Sequence, residues 1–115
     1  MSARDVGHTL TAFAQLAESG MDVDIEHVRA VIGETTRVAG RATALDASRI
    51  FYAFARLAGS RIDVDNTKAV QAVSAEAIRV VDKMSARDVS QILNSFVYLT
   101  KSGVAVDAKA VQAVS

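Results

Sequence analysis

The chain has 115 residues, half of them hydrophobic and only 5% aromatic, which is enough material for one domain-sized core. It contains no cysteine, which excludes disulfides and thiolate metal sites, and no apolar run approaches the ~20 residues of a membrane span. Thirteen basic and thirteen acidic residues give a formal net charge of zero, which argues against strong non-specific binding to polyanions.

The sequence contains three copies of one pattern. The segment MSARDV opens residues 1–20 and returns to open residues 84–103, and residues 41–61 are a weaker copy. Each copy carries one phenylalanine in register, at steps of 41 and 42 residues: Phe13, Phe54 and Phe96. A fixed period of this length is typical of stacked two-helix units.

We therefore predict an all-α fold, an alpha solenoid of about three antiparallel helix-pair repeats. Repeat 1 covers residues 1–40, repeat 2 residues 41–83, and a partial repeat 3 residues 84–115; we call them units 1, 2 and 3. The last unit stops halfway through its second helix, so we expect the chain to be a fragment of a longer array. Apolar faces left at the two ends would favour self-association.

The first helix of each unit opens with a hydroxyl residue followed three positions later by an aspartate. This spacing predicts a capping box, in which each side chain accepts a hydrogen bond from the other residue's backbone. The pairs are Ser2 with Asp5, Thr43 with Asp46 and Ser85 with Asp88. An aspartate also precedes each second helix and is predicted to cap it: Asp24, Asp65 and Asp107.

Apolar residues at helical spacing predict the buried stripe of each helix. In the first helices they are Val6, Leu10, Phe13, Leu16 and Ala17, then Ala47, Ile50, Phe51, Phe54, Leu57 and Ala58, then Val89, Ile92, Leu93, Phe96 and Leu99. In the second helices they are Val28, Val31, Ile32 and Val38, then Val70, Val73, Ala77, Val80 and Val81. Gly20 and Gly103 are predicted left-handed stops, and Arg61 in their place predicts a different turn in unit 2.

Residues that could carry catalysis or hold a metal are few. His8 and His27 lack any metal-ligand spacing, and we interpret both as ordinary helix residues. Two DxD pairs, Asp22/Asp24 and Asp63/Asp65, could be imagined as calcium ligands, but the further oxygens of an EF-hand loop are missing. We interpret them as turn and cap residues. Without a phosphate-binding glycine loop or a nucleophile motif, we predict no enzyme, no metal and no cofactor.

The side of each first helix opposite the apolar stripe is polar, and its residues change identity from unit to unit. Such a row is either an ordinary solvated face or a set of ligand-reading side chains. Arg and Tyr can stack on bases while Asn, Gln and Thr hydrogen-bond base edges, and the same residues could form a protein hot spot. The candidate binding residues are His8, Thr11 and Gln15, then Arg49, Tyr52 and Arg56, then Gln91, Asn94 and Tyr98.

The pattern of residues 85–89, Leu93, Phe96, Leu99 and Ser102-Gly103, with its copy at residues 2–20, resembles the octotricopeptide and heptatricopeptide repeats of organellar RNA-binding proteins. The resemblance implies a helical-repeat protein of mitochondrial or plastid RNA metabolism, and we predict a mitochondrial location on that basis alone. We expect single-stranded RNA binding or scaffolding in RNA processing. The alternative is a protein-interaction scaffold, because the unit length approaches that of HEAT and armadillo repeats.

Overall fold

The computed structural model describes residues 1–64 and 67–115. Its α-helices are α1 (Ala3–Glu18), α2 (Ile25–Val38), α3 (Ala44–Gly59), α4 (Thr67–Val80), α5 (Ala86–Lys101) and α6 (Ala108–Val114). One short 3-10 turn, Ala39–Arg41, follows α2, and another, Val81–Lys83, follows α4. No strand occurs in either described segment, so the predicted all-α fold is confirmed.

Each odd-numbered helix begins with the predicted capping box. At the start of α1 the Ser2 hydroxyl accepts the Asp5 N–H at 3.1 Å, and the Asp5 carboxylate accepts the Ser2 N–H at 3.2 Å. The same reciprocal pair of bonds opens α3 and α5. The pKa of Asp5 is lowered, chiefly because its carboxylate accepts the Ser2 backbone N–H. These bonds satisfy backbone donors that the first turn of a helix leaves without partners.

The aspartate caps of the even-numbered helices are confirmed where the structure describes them. The Asp24 carboxylate accepts the Glu26 N–H at 3.0 Å, and the Asp107 carboxylate accepts the Lys109 N–H at 2.9 Å. Asp65, the third predicted cap, lies outside the described residues.

The turn that ends each odd-numbered helix has the same geometry in all three units. Gly20 and Gly103 both have φ +83°, and Arg61 adopts the same left-handed region with φ +63°. The N–H groups of Arg61 and of the next residue donate to the carbonyl oxygens of Ala58 and Leu57, each at 3.0 Å. The predicted different turn in unit 2 is therefore wrong. Its two hydrogen bonds offset the cost of about 1–2 kcal/mol that a left-handed side-chain-bearing residue incurs.

Replacing Arg61 by glycine should therefore stabilise the protein, because glycine adopts a positive φ without steric cost. We expect the free energy of unfolding to rise by about 1 kcal/mol, measured by urea unfolding followed by circular dichroism. The reverse change, Gly103→Ala, should lower it by a similar amount, since an added Cβ meets no atom within 4 Å and only the φ strain remains. A lower stability for Arg61→Gly would contradict the strain argument.

The helices pack in sequence order. Helix α3 packs against α1 on one side and α5 on the other, and α4 packs between α2 and α6. Each odd-numbered helix also contacts the even-numbered helix that follows it. Every described helix therefore meets its counterpart in an adjacent unit as well as the other helix of its own unit.

Completely buried hydrophobic side chains are concentrated on α3, the odd-numbered helix with neighbours on both sides. Ile50, Phe51, Phe54 and Leu57 are all completely buried. Phe51 meets Phe96 of α5 edge to face, with ring centroids 5.0 Å apart and planes at 82°. Burying aromatic rings in this geometry contributes through both the removed area and the quadrupole contact.

One member of the predicted apolar stripe is exposed to solvent. Leu16 is 46% exposed, whereas Leu57 and Leu99 at the same register position are completely buried. The reason is that α1 has one odd-numbered neighbour, α3, and nothing in the described residues covers its other side. The half-buried members of the predicted stripe on α1 and α5 are Phe13, Ala17, Val89 and Leu93.

A repeated arginine joins the end of each four-turn even helix to the start of its unit. The Arg79 guanidinium donates from Nε to Glu76 Oε2 at 2.7 Å and from Nη2 to the Ala42 carbonyl oxygen at 3.0 Å. Arg37, 42 residues earlier, donates to the Met1 carbonyl oxygen at 3.1 Å. Sequence analysis missed this contact, which satisfies a carbonyl that precedes a helix.

Candidate functional site

All nine candidate binding residues line two adjoining grooves on the odd-numbered helices. The larger groove, about 820 Å³, runs between α3 and α5, with Glu18 of α1 at its edge. The smaller groove, about 690 Å³, runs along α1 and α3 to the start of α5. Tyr52, Arg87 and Gln91 line both. The predicted row is therefore continuous across the three units, because helices that pack in register align equivalent faces.

The larger groove contains three exposed side chains of the row. Tyr98 is 61% exposed and Tyr52 is 41% exposed, and Asn94 is exposed on α5 one turn before Tyr98. Within the described part of the chain, the side chains of Asn94 and Tyr98 make no hydrogen bond to other protein groups. Their polar atoms are thus available to a ligand.

Arg56 is held by groups on two helices. Its Nε donates to Glu18 Oε2 at 3.0 Å, its Nη2 donates to the other carboxylate oxygen, and its Cζ lies 5.3 Å from the centroid of the Tyr52 ring. The hydrogen bond from Arg56 lowers the pKa of Glu18, and the same bond raises the pKa of Arg56. Arg56 is one of the candidate binding residues, and in the structure its charge is balanced by Glu18.

Arg49 meets a candidate residue from the neighbouring unit. Its Nη1 lies 3.2 Å from His8 Nε2. Because a guanidinium can only donate, His8 accepts this bond through an unprotonated Nε2. Unlike Arg56, Arg49 faces no carboxylate among the ion pairs of the described residues, so it keeps its positive charge at the surface of the smaller groove.

Two further candidates use their polar atoms inside the protein. The Ser48 hydroxyl donates to Gln91 Oε1 at 3.1 Å, which links α3 to α5, and the Thr11 hydroxyl donates to the Gly7 carbonyl oxygen at 2.8 Å within α1. A hydrogen bond already made must be replaced or shared when a ligand binds. Gln91 and Thr11 are therefore weaker candidates for direct contact than Asn94 and Tyr98.

Three charged residues of the grooves, Glu18, Arg87 and Asp88, were absent from the candidate set. Arg87 opens the row in unit 3 and has no ion pair within residues 1–64 and 67–115. Glu18 follows Gln15 by three residues on α1 and so shares its face, which is the signal that could have identified it. The two grooves together carry one excess positive charge. They are lined by three arginines, Arg49, Arg56 and Arg87, and by two acidic residues, Glu18 and Asp88.

Comparisons with models of protein families, with curated proteins and with solved structures found no match. Among the described residues, no helix is both long and apolar enough to cross a membrane. The described part of the chain also holds no group of three or more His, Asp or Glu side chains placed to bind a metal ion.

Proposed function

We propose that this chain is a non-catalytic alpha-solenoid module that binds single-stranded RNA along the two grooves of its odd-numbered helices. The solenoid part of the proposal is supported by repetition in three dimensions. The three odd-numbered helices each have 16 residues and the same caps, and α2 and α4 each have 14. The arginine contacts of Arg37 and Arg79 repeat at the same register.

The observation that carries RNA binding is the larger groove with Tyr52, Asn94, Tyr98 and Arg87 on its walls. Single-stranded bases stack on exposed aromatic rings, amides hydrogen-bond base edges, and an unpaired guanidinium neutralises a phosphate. All three kinds of group stand within one groove, on adjacent helices. A duplex would present its bases stacked inside, so the proposed ligand is single-stranded. The organellar role remains part of this proposal through the resemblance alone.

A protein-interaction scaffold is the second candidate, and one observation favours it. The single excess positive charge of the grooves is small for a nucleic-acid interface, since Glu18 neutralises Arg56. Exposed tyrosines beside an arginine are also the residues enriched at protein hot spots. A peptide with an apolar or acidic anchor residue would be complementary to the tyrosines and arginine that line the grooves.

A titration with labelled single-stranded RNA distinguishes RNA binding from the protein-interaction scaffold. We expect saturable binding by fluorescence anisotropy at low salt, weakening as salt rises. With two or three phosphate contacts, the slope of log K against log salt should lie between about −1.4 and −2, because each contact on a single strand contributes about −0.7. Duplex DNA of equal length is the control and should bind more weakly. Absence of RNA binding at low salt would favour the protein scaffold.

Removing the charge of Glu18 should strengthen RNA binding. In Glu18→Gln, Arg56 becomes free to contact phosphate and one repulsive charge leaves the groove, so we expect affinity to rise roughly five- to tenfold at low ionic strength. Glu26→Gln removes the same charge from α2, where Glu26 is exposed and pairs with Arg29, and it serves as the matched control. An equal gain in both variants would mean that net charge, rather than the groove, sets affinity.

A further inference from the structure

A third groove lies where units 2 and 3 meet, beside the smaller groove. It encloses about 450 Å³, and we call it the basic groove because the charged residues that line it are Arg41, Arg79, Lys83 and Asp88. Three cations and one carboxylate line it, whereas the larger and smaller grooves together carry one excess positive charge. Leu45 and Asp88 line both the basic groove and the smaller groove, so the two grooves adjoin.

Two of these charged groups already have partners inside the protein. The Arg79 guanidinium is paired with Glu76, which does not line the basic groove. The Asp88 side chain accepts the Ser85 N–H at 3.2 Å, and the residue is only 8% exposed. When Glu76 is counted against Arg79, the remaining two cations of the groove still outnumber its one carboxylate.

Those two cations, Arg41 and Lys83, occupy equivalent positions in successive units. Each is the last residue of the 3-10 turn that follows an even-numbered helix, and they lie 42 residues apart. Both are exposed, and neither takes part in an ion pair within residues 1–64 and 67–115. The packing of the units thus brings two unpaired positive charges to one groove, where an anion can approach both.

We propose that an RNA strand leaving the smaller groove continues into the basic groove, where Arg41 and Lys83 bind its backbone phosphates. This inference rests on the proposed function. The smaller groove already carries Arg49 and Arg87, so the basic groove extends the same row of cations. A nucleic-acid backbone is the anion that this continuity favours, because it carries a negative charge at every nucleotide and can pass from one groove to the next.

A series of RNA lengths separates the basic groove from the two grooves beside it. Labelled single strands of about 4 to about 16 nucleotides cover the footprints of small single-strand binders. Strands too short to reach the basic groove should keep a slope of log K against log salt between about −1.4 and −2. Longer strands should bind more tightly and steepen that slope by about 1.4, because each of the two added phosphate contacts contributes about −0.7.

A double variant, Arg41→Gln with Lys83→Gln, tests the two contacts and leaves the hydrogen-bonded Arg79 in place. Long strands should bind it roughly tenfold or more weakly at low salt and should lose the added slope. Short strands should bind it as they bind the unmodified chain. The matched control, Lys101→Gln with Lys109→Gln, removes the same charge from exposed positions that line none of the three grooves, so it should keep the dependence on length.

Circular dichroism establishes that each variant is folded, and the outcomes then separate the inference from the proposed function. If the double variant binds long strands as tightly as the unmodified chain, the inference is wrong while RNA binding in the other two grooves stands. An equal loss in the matched control would also overturn it, because net charge would then set affinity. So would disappearance of the length dependence in inorganic phosphate at constant ionic strength, which would indicate a site for the free ion. Absence of binding by any strand at low salt would overturn both proposals, and an acidic peptide would then be the ligand that matches Arg41 and Lys83.

Discussion

Replacing Leu57 by alanine is expected to lower the free energy of unfolding by about 3 kcal/mol. Leu57 is completely buried on α3, the odd-numbered helix with neighbours on both sides. The substitution removes apolar area and leaves a cavity that the surrounding helices can only partly close. Because domains of this size are stable by about 5–15 kcal/mol, the change should shift the midpoint of urea unfolding clearly.

The same substitution at the equivalent leucine of unit 1, Leu16, provides the control. Leu16→Ala should lower the free energy of unfolding by less than about 1 kcal/mol, because Leu16 is 46% exposed and its loss leaves no closed cavity. Leu99→Ala, at the completely buried counterpart in unit 3, should resemble Leu57→Ala. Equal losses at all three positions would contradict the order in which the helices pack.

Replacing Tyr98 by alanine is expected to weaken RNA binding roughly ten- to a hundredfold, measured by anisotropy with the labelled single strand. Tyr98 is the most exposed aromatic side chain of the larger groove, at 61%. Removing an aromatic platform costs about 1–3 kcal/mol per stacked base. The salt dependence should stay unchanged, because in the proposed complex the ring stacks on a base and contacts no phosphate.

Val97→Ala is the matched control for this variant. Val97 precedes Tyr98 on α5, is 51% exposed and lines neither groove, so its loss should leave RNA affinity unchanged. Arg87→Ala should instead reduce the steepness of the salt dependence by one phosphate contact, about 0.7 in slope. If Tyr98→Ala binds RNA as tightly as the unmodified chain, the larger groove is not the binding surface.

The parts of this fold that could be predicted from sequence are those set by local spacing. A capping box needs two residues three positions apart, so Ser2 with Asp5 identifies the start of α1 without knowledge of any other helix. The buried stripe follows from the helical period in the same way. The row of candidate residues lines continuous grooves because α3 packs against both α1 and α5 with the candidate faces on one side.

The features that sequence analysis missed depend on contacts between helices. Leu16 has the same local pattern as Leu57, and it is exposed because no helix among the described residues packs over that side of α1. The pairing of Arg56 with Glu18 joins residues 38 positions apart. Predicting it requires knowing how α1 and α3 are offset along their axes. Arg61 adopts the glycine conformation because the turn's two hydrogen bonds outweigh a modest local strain.

The most direct measurement is an NMR titration of the isotopically labelled chain with a short single-stranded RNA of mixed sequence. RNA binding along the grooves predicts saturable shifts in the amide signals of α5 around Arg87, Asn94 and Tyr98 and in those of α3 around Tyr52. The exposed sides of α2 and α4 should remain unchanged. Shifts confined to the even-numbered helices, or no saturable shift at low salt, would contradict it.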